Sequence, residues 1–145
     1  LLATHAAPAL TGIAVGALST ILVAVGLGMA FELDRVVLLS MSVKSVTAPI
    51  AIELAGIVQA NLSLAAALVI ATGMIGTMFW QWLMDRTGIA HPLARGLALG
   101  TISHGQGTAQ AIAEGELQGA IAGIATGVTA VLTSLALPSA IGLIL

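Results

Sequence analysis

Long uncharged runs alternate with short clusters of charge along this chain of 145 residues. The first run extends from Ala6 to Phe31 and holds no charged side chain. Because a helix needs about 20 apolar residues to cross a hydrocarbon core, this run predicts a first membrane span. Two later runs, from Leu62 to Trp82 and from Gly119 to Leu137, predict two more, the last continuing past Pro138 to Leu145.

The segment from Val36 to Ala60 is also long enough to cross a membrane, but it is interrupted by polar side chains and a proline. These are Ser40, Ser42, Lys44, Ser45, Thr47, Pro49 and Glu53. Proline breaks a helix interior yet suits its first turn, and threonine is a favoured N-cap. The pattern therefore predicts a half-helix from Val36, a break between Lys44 and Thr47, and a second half-helix over 48–59.

A second break is predicted in the stretch from Gly100 to Ala111, which reads GTISHGQGTAQA. Glycine in a helix interior costs about 1 kcal/mol relative to alanine. A helix over 93–101 should therefore end near His104, and a short helix should start with Thr108 as its N-cap and run to about Glu114.

The two breaks have similar sequences, because Lys44 precedes Thr47 by three residues and His104 precedes Thr108 by four. Helix N-termini offer free N–H donors and partial positive charge, so two of them meeting at membrane depth favour an anion. The alternative for Lys44 is a side chain that reaches a lipid headgroup, and for His104 a structural hydrogen bond to a neighbouring helix. Glu53 pairs with Lys44, carries a coupling proton or is an interfacial carboxylate; the sequence leaves these open.

Other residues near the predicted ends have simpler roles. Arg95 is interpreted as a headgroup or topology anchor, or as a source of charge for the site. Four glycines spaced by four residues predict close helix packing: Gly115, Gly119, Gly123 and Gly127. If all five segments cross once, Arg35, Arg86 and Arg95 lie on one side, which is cytoplasmic by the positive-inside rule, and the acidic loop with Glu114 and Glu116 lies on the other.

Composition places the chain among integral membrane proteins, since 7% of its residues are charged and its mean hydropathy is +1.13. We expect one all-α domain over residues 1–145, a polytopic transmembrane helix bundle of about five membrane segments, two of them discontinuous. The net charge of −2 gives no reason to expect nucleic acid binding. No motif predicts a nucleophile, a metal site or a cofactor, so an enzyme is not expected. A chain that begins Leu1–Leu2 is expected to lack an N-terminal part.

Two motifs resemble the LrgB family of bacterial membrane proteins, which includes CidB and the plant plastidial glycolate/glycerate translocator. They are the stretch SVTAPIA at 45–51 and the longer stretch ARGLALGTISHGQGTA at 94–109. The chain departs from the family pattern at Ala48, where a second threonine is usual, and at Gln110, where an arginine is usual. If that arginine contacts an anion, Lys44, His104 or Arg95 must supply the charge here.

The resemblance implies two classes of function. One is a secondary carrier of small carboxylates such as pyruvate, glycolate or glycerate; the other is an antiholin-like regulator of murein hydrolase activity and lysis. It also implies the bacterial inner membrane, a small LrgA- or CidA-like membrane partner, and self-association. The broken helices favour the carrier, whose predicted substrate-binding residues are Lys44, Ser45, Thr47, Ser103, His104, Gly105, Gly107 and Thr108, with Glu53 and Arg95 for coupling and charge.

Overall fold

The computed structural model describes the backbone of residues 2–144 and the side chains of residues 6–142. These residues form six helices and no strand. The helices are α1 (Leu2–Ala30), α2 (Arg35–Ser42), α3 (Ala48–Ile57), α4 (Leu62–Thr87), α5 (Pro92–Glu114) and α6 (Glu116–Ile144). The all-helical membrane bundle predicted from the sequence is confirmed.

Three of the helices, α1, α4 and α6, are long and apolar enough to cross a membrane. The side chain of Asn61 accepts a hydrogen bond from the Leu64 N–H at the start of α4, and Gly88, with a φ of 68°, ends it. Helix α4 thus extends five residues beyond the predicted end at Trp82. Pro138 lies inside α6 without ending it; Leu145 lies outside the described residues.

Helices α2 and α3 form a re-entrant pair, here called hairpin 1. The chain leaves the helical path after Ser42 and resumes it at Ala48, close to the predicted break. The Ser40 hydroxyl then accepts a hydrogen bond from the Asn61 N–H, with an N···O distance of 3.1 Å. Since Asn61 follows α3, the chain must return along α3 toward the side from which α2 entered.

Helix α5 also turns back on itself and forms hairpin 2. His104 has φ 50° and ψ −127°, which interrupts the helix and divides α5 into arms over 92–103 and 105–114. A straight helix would hold Arg95 and Glu114 about 28 Å apart. Their side chains instead form a salt bridge with an N···O distance of 2.9 Å, so the two ends of α5 lie on the same side of the membrane.

The two hairpins enter from opposite sides. Gly12 and Gly16 of α1 lie against Leu97 and Thr101, so the first arm of hairpin 2 runs parallel to α1. Helix α2 follows the turn after α1 and runs back along it, until the Ser45 hydroxyl meets that of Thr20 at 2.9 Å. Thr20 lies ten residues, or about 15 Å, before the end of α1. The breaks therefore meet at mid-depth.

This topology corrects the predicted assignment of sides. We call the side with Arg95 and Glu114 the clamp side, and the side with the turn between α1 and α2 the turn side. Five single crossings would have placed Arg35 with Arg95 and opposite Glu114. Because both discontinuous segments return to the side they entered, Arg35 lies on the turn side, and Glu114 shares the clamp side with Arg95.

Close backbone contacts hold hairpin 2 against α6. A Cβ on Gly96 or Gly100 would collide with the backbone of Gln118 or Ala122. Fewer glycines of the predicted stripe make close helix contacts than their regular spacing indicates. Gly119 lies against Ile112 and Gly123 near Thr108, whereas Gly115 ends α5 and Gly127 has no close neighbour among the described residues.

Candidate functional site

The most unusual residue in the membrane interior is His104, at the tip of hairpin 2. Its side chain is 3% exposed, and its Nε2 has no hydrogen-bond partner among the residues that the structure describes. Its positive φ lies in a region that residues other than glycine adopt at a cost of about 1–3 kcal/mol, and such strain is concentrated at functional sites. A buried polar atom without a partner is also unfavourable. Both features indicate a site for a ligand.

The tip of hairpin 1 lies against this histidine. The imidazole approaches the backbone of Ser45, and the Lys44 ammonium is close enough to act on it electrostatically. Ser45 is buried and Lys44 half-buried, between the buried apolar residues Val43 and Val46. The structure therefore brings residues of the two predicted breaks close together.

Two helices begin within three residues of this junction, at Ala48 and directly after His104. Helix α3 begins with Thr47 at the N-cap position, as predicted, but the threonine side chain makes no capping hydrogen bond. The first-turn N–H groups of α3 therefore keep unfilled donor capacity. The second N-terminus belongs to the returning arm of hairpin 2, which begins directly after His104.

Thr108 is not the N-cap of that second arm, so this prediction is wrong. The helix resumes four residues earlier, because the backbone of His104 makes the whole turn. The Thr108 hydroxyl donates to the carbonyl of His104 at 2.9 Å and lies 3.0 Å from the hydroxyl of Thr126 on α6. Thr108 therefore forms part of the contact between hairpin 2 and α6.

The other predicted site residues are spread over several surfaces. Ser103 is buried against Gly76 of α4. Gly107 lies where the two arms of hairpin 2 touch, and Gly105 is exposed with no close neighbour. Glu53 is exposed on α3 and makes no ion pair within the described part of the chain.

Arg95 is part of a polar cluster at the open end of hairpin 2, here called the clamp. Its Nε and Nη2 donate to the two carboxylate oxygens of Glu114, each at 2.9 Å. The guanidinium also lies 5.4 Å from the centre of the Trp80 ring, whose indole N–H donates to Glu114. Hydrogen bonds from Arg95 lower the pKa of Glu114, so the pair is ionised at neutral pH. The clamp joins both arms of the hairpin to α4.

The departure at Gln110 lies near this clamp rather than at the junction. Gln110 lines an open polar cavity of about 560 Å³ together with Arg95, Glu114 and Asp85. The arginine that the family resemblance implies at position 110 would therefore line this cavity and not the junction. The charge closest to the junction in this chain is that of Lys44.

Replacing Glu114 by glutamine is expected to destabilise the protein by about 2 kcal/mol, because a charged hydrogen bond is lost. A carboxyl whose pKa is lowered on folding adds stability above its unfolded pKa and loses it as the pH falls through the folded value. The difference in melting temperature between wild type and Glu114→Gln should therefore be full at neutral pH. It should disappear well below the ordinary glutamate pKa of about 4.3. A difference that persists unchanged in acid would contradict this role of the carboxylate.

Sequence reasoning missed two partners of the site. Thr20 holds the tip of hairpin 1 through Ser45, and Glu114 closes hairpin 2 through Arg95. The second pairing has a sequence signal: Arg95 and Glu114 lie nine residues before and ten residues after His104. Opposite charges at nearly equal distances from a helix break are typical of two arms that return to the same level. Thr20 has no comparable signal.

Three spanning helices with two re-entrant hairpins, whose breaks meet at mid-depth, define a polytopic membrane protein with a broken-helix centre. Such a centre is typical of secondary transporters. Comparison with known families gives the assignment: residues 1–143 match the LrgB-like family, and the chain belongs to it. The family resemblance recognised in the two motifs is thereby confirmed.

Among its relatives, YxaC of Bacillus subtilis is 33% identical over 134 residues, which cover 90% of this chain and 56% of YxaC. The Antiholin-like protein LrgB of Bacillus cereus is 31% identical over 129 residues, or 89% of this chain and 56% of that protein. The Plastidal glycolate/glycerate translocator 1 of Arabidopsis thaliana is 31% identical over 111 residues, or 76% of this chain and 22% of the translocator. This chain thus spans about half the length of its bacterial relatives. No solved structure gives a significant match.

Proposed function

We propose that this protein is a secondary carrier of small carboxylates of the pyruvate, glycolate or glycerate class. The observation that carries the proposal is the junction of the two hairpins, where the imidazole of His104 lies beside Ser45 and Lys44. Its Nε2 has no hydrogen-bond partner among the described residues. A carboxylate would accept hydrogen bonds from helix N–H groups and from the imidazole N–H, and the lysine would balance its charge. The name of the Arabidopsis relative, a glycolate/glycerate translocator, supports the same class of substrate.

The packing of the junction favours a substrate of few atoms. Val43, Ser45 and Val46 are at most 1% exposed, and His104 is 3% exposed. The hairpins enter from opposite sides, so a carboxylate held between their tips is reached from the clamp side by moving hairpin 2 and from the turn side by moving hairpin 1. This is alternating access around a fixed site. Glu53, exposed on α3, remains a candidate for proton coupling.

The rival function is the antiholin-like regulation named for the Bacillus cereus relative. It implies assembly with itself or with a small LrgA- or CidA-like membrane protein, and in either case the bacterial inner membrane is the proposed location. A protein that acts by forming a membrane lesion requires helices that associate with one another. Such a function does not explain a strained, buried histidine beside a lysine. The junction therefore favours the carrier.

One experiment separates the two functions. The protein is reconstituted in liposomes, and uptake of labelled pyruvate, glycolate and glycerate is measured beside release of an encapsulated dye. A carrier gives saturable uptake that unlabelled carboxylates inhibit, and it retains the dye. Release of dye together with all small solutes, without saturation, would contradict the carrier and favour the rival.

A further inference from the structure

A buried threonine on α6, Thr129, has a hydroxyl without a partner among the described residues. Most helical hydroxyls in this protein donate to a backbone carbonyl one turn earlier, as those of Thr77, Thr101 and Thr108 do. The side chain of Thr129 is fully buried. A buried hydroxyl without a hydrogen-bond partner destabilises the folded protein, so its presence at membrane depth needs a reason.

The contacts between α5 and α6 place this hydroxyl at the hairpin junction. Gly96 lies against Gln118 and Gly100 against Ala122, so α6 runs parallel to the first arm of hairpin 2 with an offset of 22 residues. The same offset sets His104 opposite Thr126. Thr129 follows Thr126 by three residues, or about 4.5 Å along the axis.

Thr129 also faces in the right direction. It follows Ala122 by seven residues, which is close to two helical turns, so the two side chains share one face of α6. Ala122 uses that face to contact hairpin 2. Hairpin 2 ends near the level of Thr126, and the Thr129 hydroxyl therefore lies just beyond its tip, on the side from which hairpin 1 approaches.

Thr133, one turn further along α6, is a second buried threonine whose hydroxyl has no partner in the described part of the chain. It lines a small apolar cavity between α1 and α6, of about 160 Å³, with Ala17, Ile21 and Leu137. Thr133 is one helical turn further than Thr129 from the level of His104. Replacing Thr133 therefore tests whether the effect of losing a hydroxyl depends on its distance from the junction.

We propose that Thr129 is a specificity-determining residue that hydrogen-bonds the oxygen on C2 of the bound carboxylate. The inference rests on the proposed carrier function and assigns a protein partner to the C2 oxygen that pyruvate, glycolate and glycerate share. His104, Lys44 and the helix N-termini engage the carboxylate group, and a hydroxyl or keto oxygen one carbon away then requires a polar partner across the junction. A threonine hydroxyl can donate to either oxygen and can accept from a hydroxyl.

Competition binding of labelled glycolate to the purified protein tests the assignment. Glycolate and acetate differ only in the hydroxyl on C2, so acetate reports the carboxylate interactions alone. In Thr129→Val, which keeps the volume and removes the hydroxyl, the affinity for glycolate should fall about tenfold, the effect of one hydrogen bond. Inhibition by acetate should be unchanged, and Thr129→Ser should restore glycolate binding.

Two control variants make the result specific. Thr101→Val removes a buried hydroxyl that is already bonded to the Leu97 carbonyl, and it should leave the ratio of the two affinities unchanged. Thr133→Val should change that ratio less than Thr129→Val does. Equal loss of glycolate and acetate binding in Thr129→Val, or no loss of either, would overturn the role of Thr129. A wild-type protein that binds no carboxylate would instead overturn the carrier proposal itself.

Discussion

Replacing Lys44 by methionine is expected to reduce carboxylate uptake at least tenfold. Methionine keeps most of the length and apolar character of the side chain but removes the charge nearest to His104. A carboxylate at the junction would then enter a region of low dielectric without a counter-charge, which costs far more than a neutral hydrogen bond. The measurement is the initial rate of labelled glycolate uptake into liposomes at fixed protein content.

Lys44→Arg and Arg35→Met are the matched controls. Arginine keeps the positive charge at the tip and should retain part of the uptake. Arg35, exposed at the start of α2 on the turn side, also carries a positive charge but lies far from the junction, and its replacement should have little effect. Normal uptake by Lys44→Met would overturn the role of the lysine as the counter-charge of the substrate.

Replacing Gly107 by alanine is expected to destabilise the protein by about 2 kcal/mol or more. A Cβ at this position would collide with the carbonyl oxygen of Leu99 and with the Cβ of Ser103, both on the opposite arm of hairpin 2. Backbone atoms cannot move aside as a flexible side chain can, and overpacking typically costs about 1–3 kcal/mol. The arms must separate, which also strains the clamp at their open end.

Gly105 provides the control for this substitution. It lies two residues earlier in the same arm, and a Cβ there meets no atom of the described structure within 4 Å. Gly105→Ala should leave the melting temperature in detergent unchanged or raise it slightly, because alanine favours the helix. Equal effects of the two substitutions would contradict the tight contact between the arms.

The helix breaks were predictable from the sequence, but the direction of the chain after each break was not. Lys44 and His104 within apolar runs mark the breaks by local chemistry. Whether a half-helix then continues across the bilayer or returns depends on contacts such as Ser40 with Asn61 and Arg95 with Glu114, which join residues distant in sequence. Helix length gives a partial indication, since the eight residues of α2 extend only about 12 Å.

The prediction for Thr108 failed for a related reason. N-cap preference favours a threonine at the start of a helix, but the unusual backbone of His104 makes the turn and lets the helix resume at once. Thr129 gave no sequence signal, because a threonine in an apolar helix usually bonds its own backbone. Only the offset between α5 and α6 places it beside the junction.

The two hairpins differ in stiffness. Hairpin 2 is closed at both ends, by the backbone contact of Gly107 with Leu99 near the tip and by the clamp at its base. In hairpin 1, α2 packs on α1 and α4, while α3 packs on α4 and α6, and the two arms hardly touch each other. Hairpin 2 should therefore move as a rigid body, whereas α2 and α3 of hairpin 1 can move apart. We expect the junction to open more easily toward the turn side, through hairpin 1, than toward the clamp side.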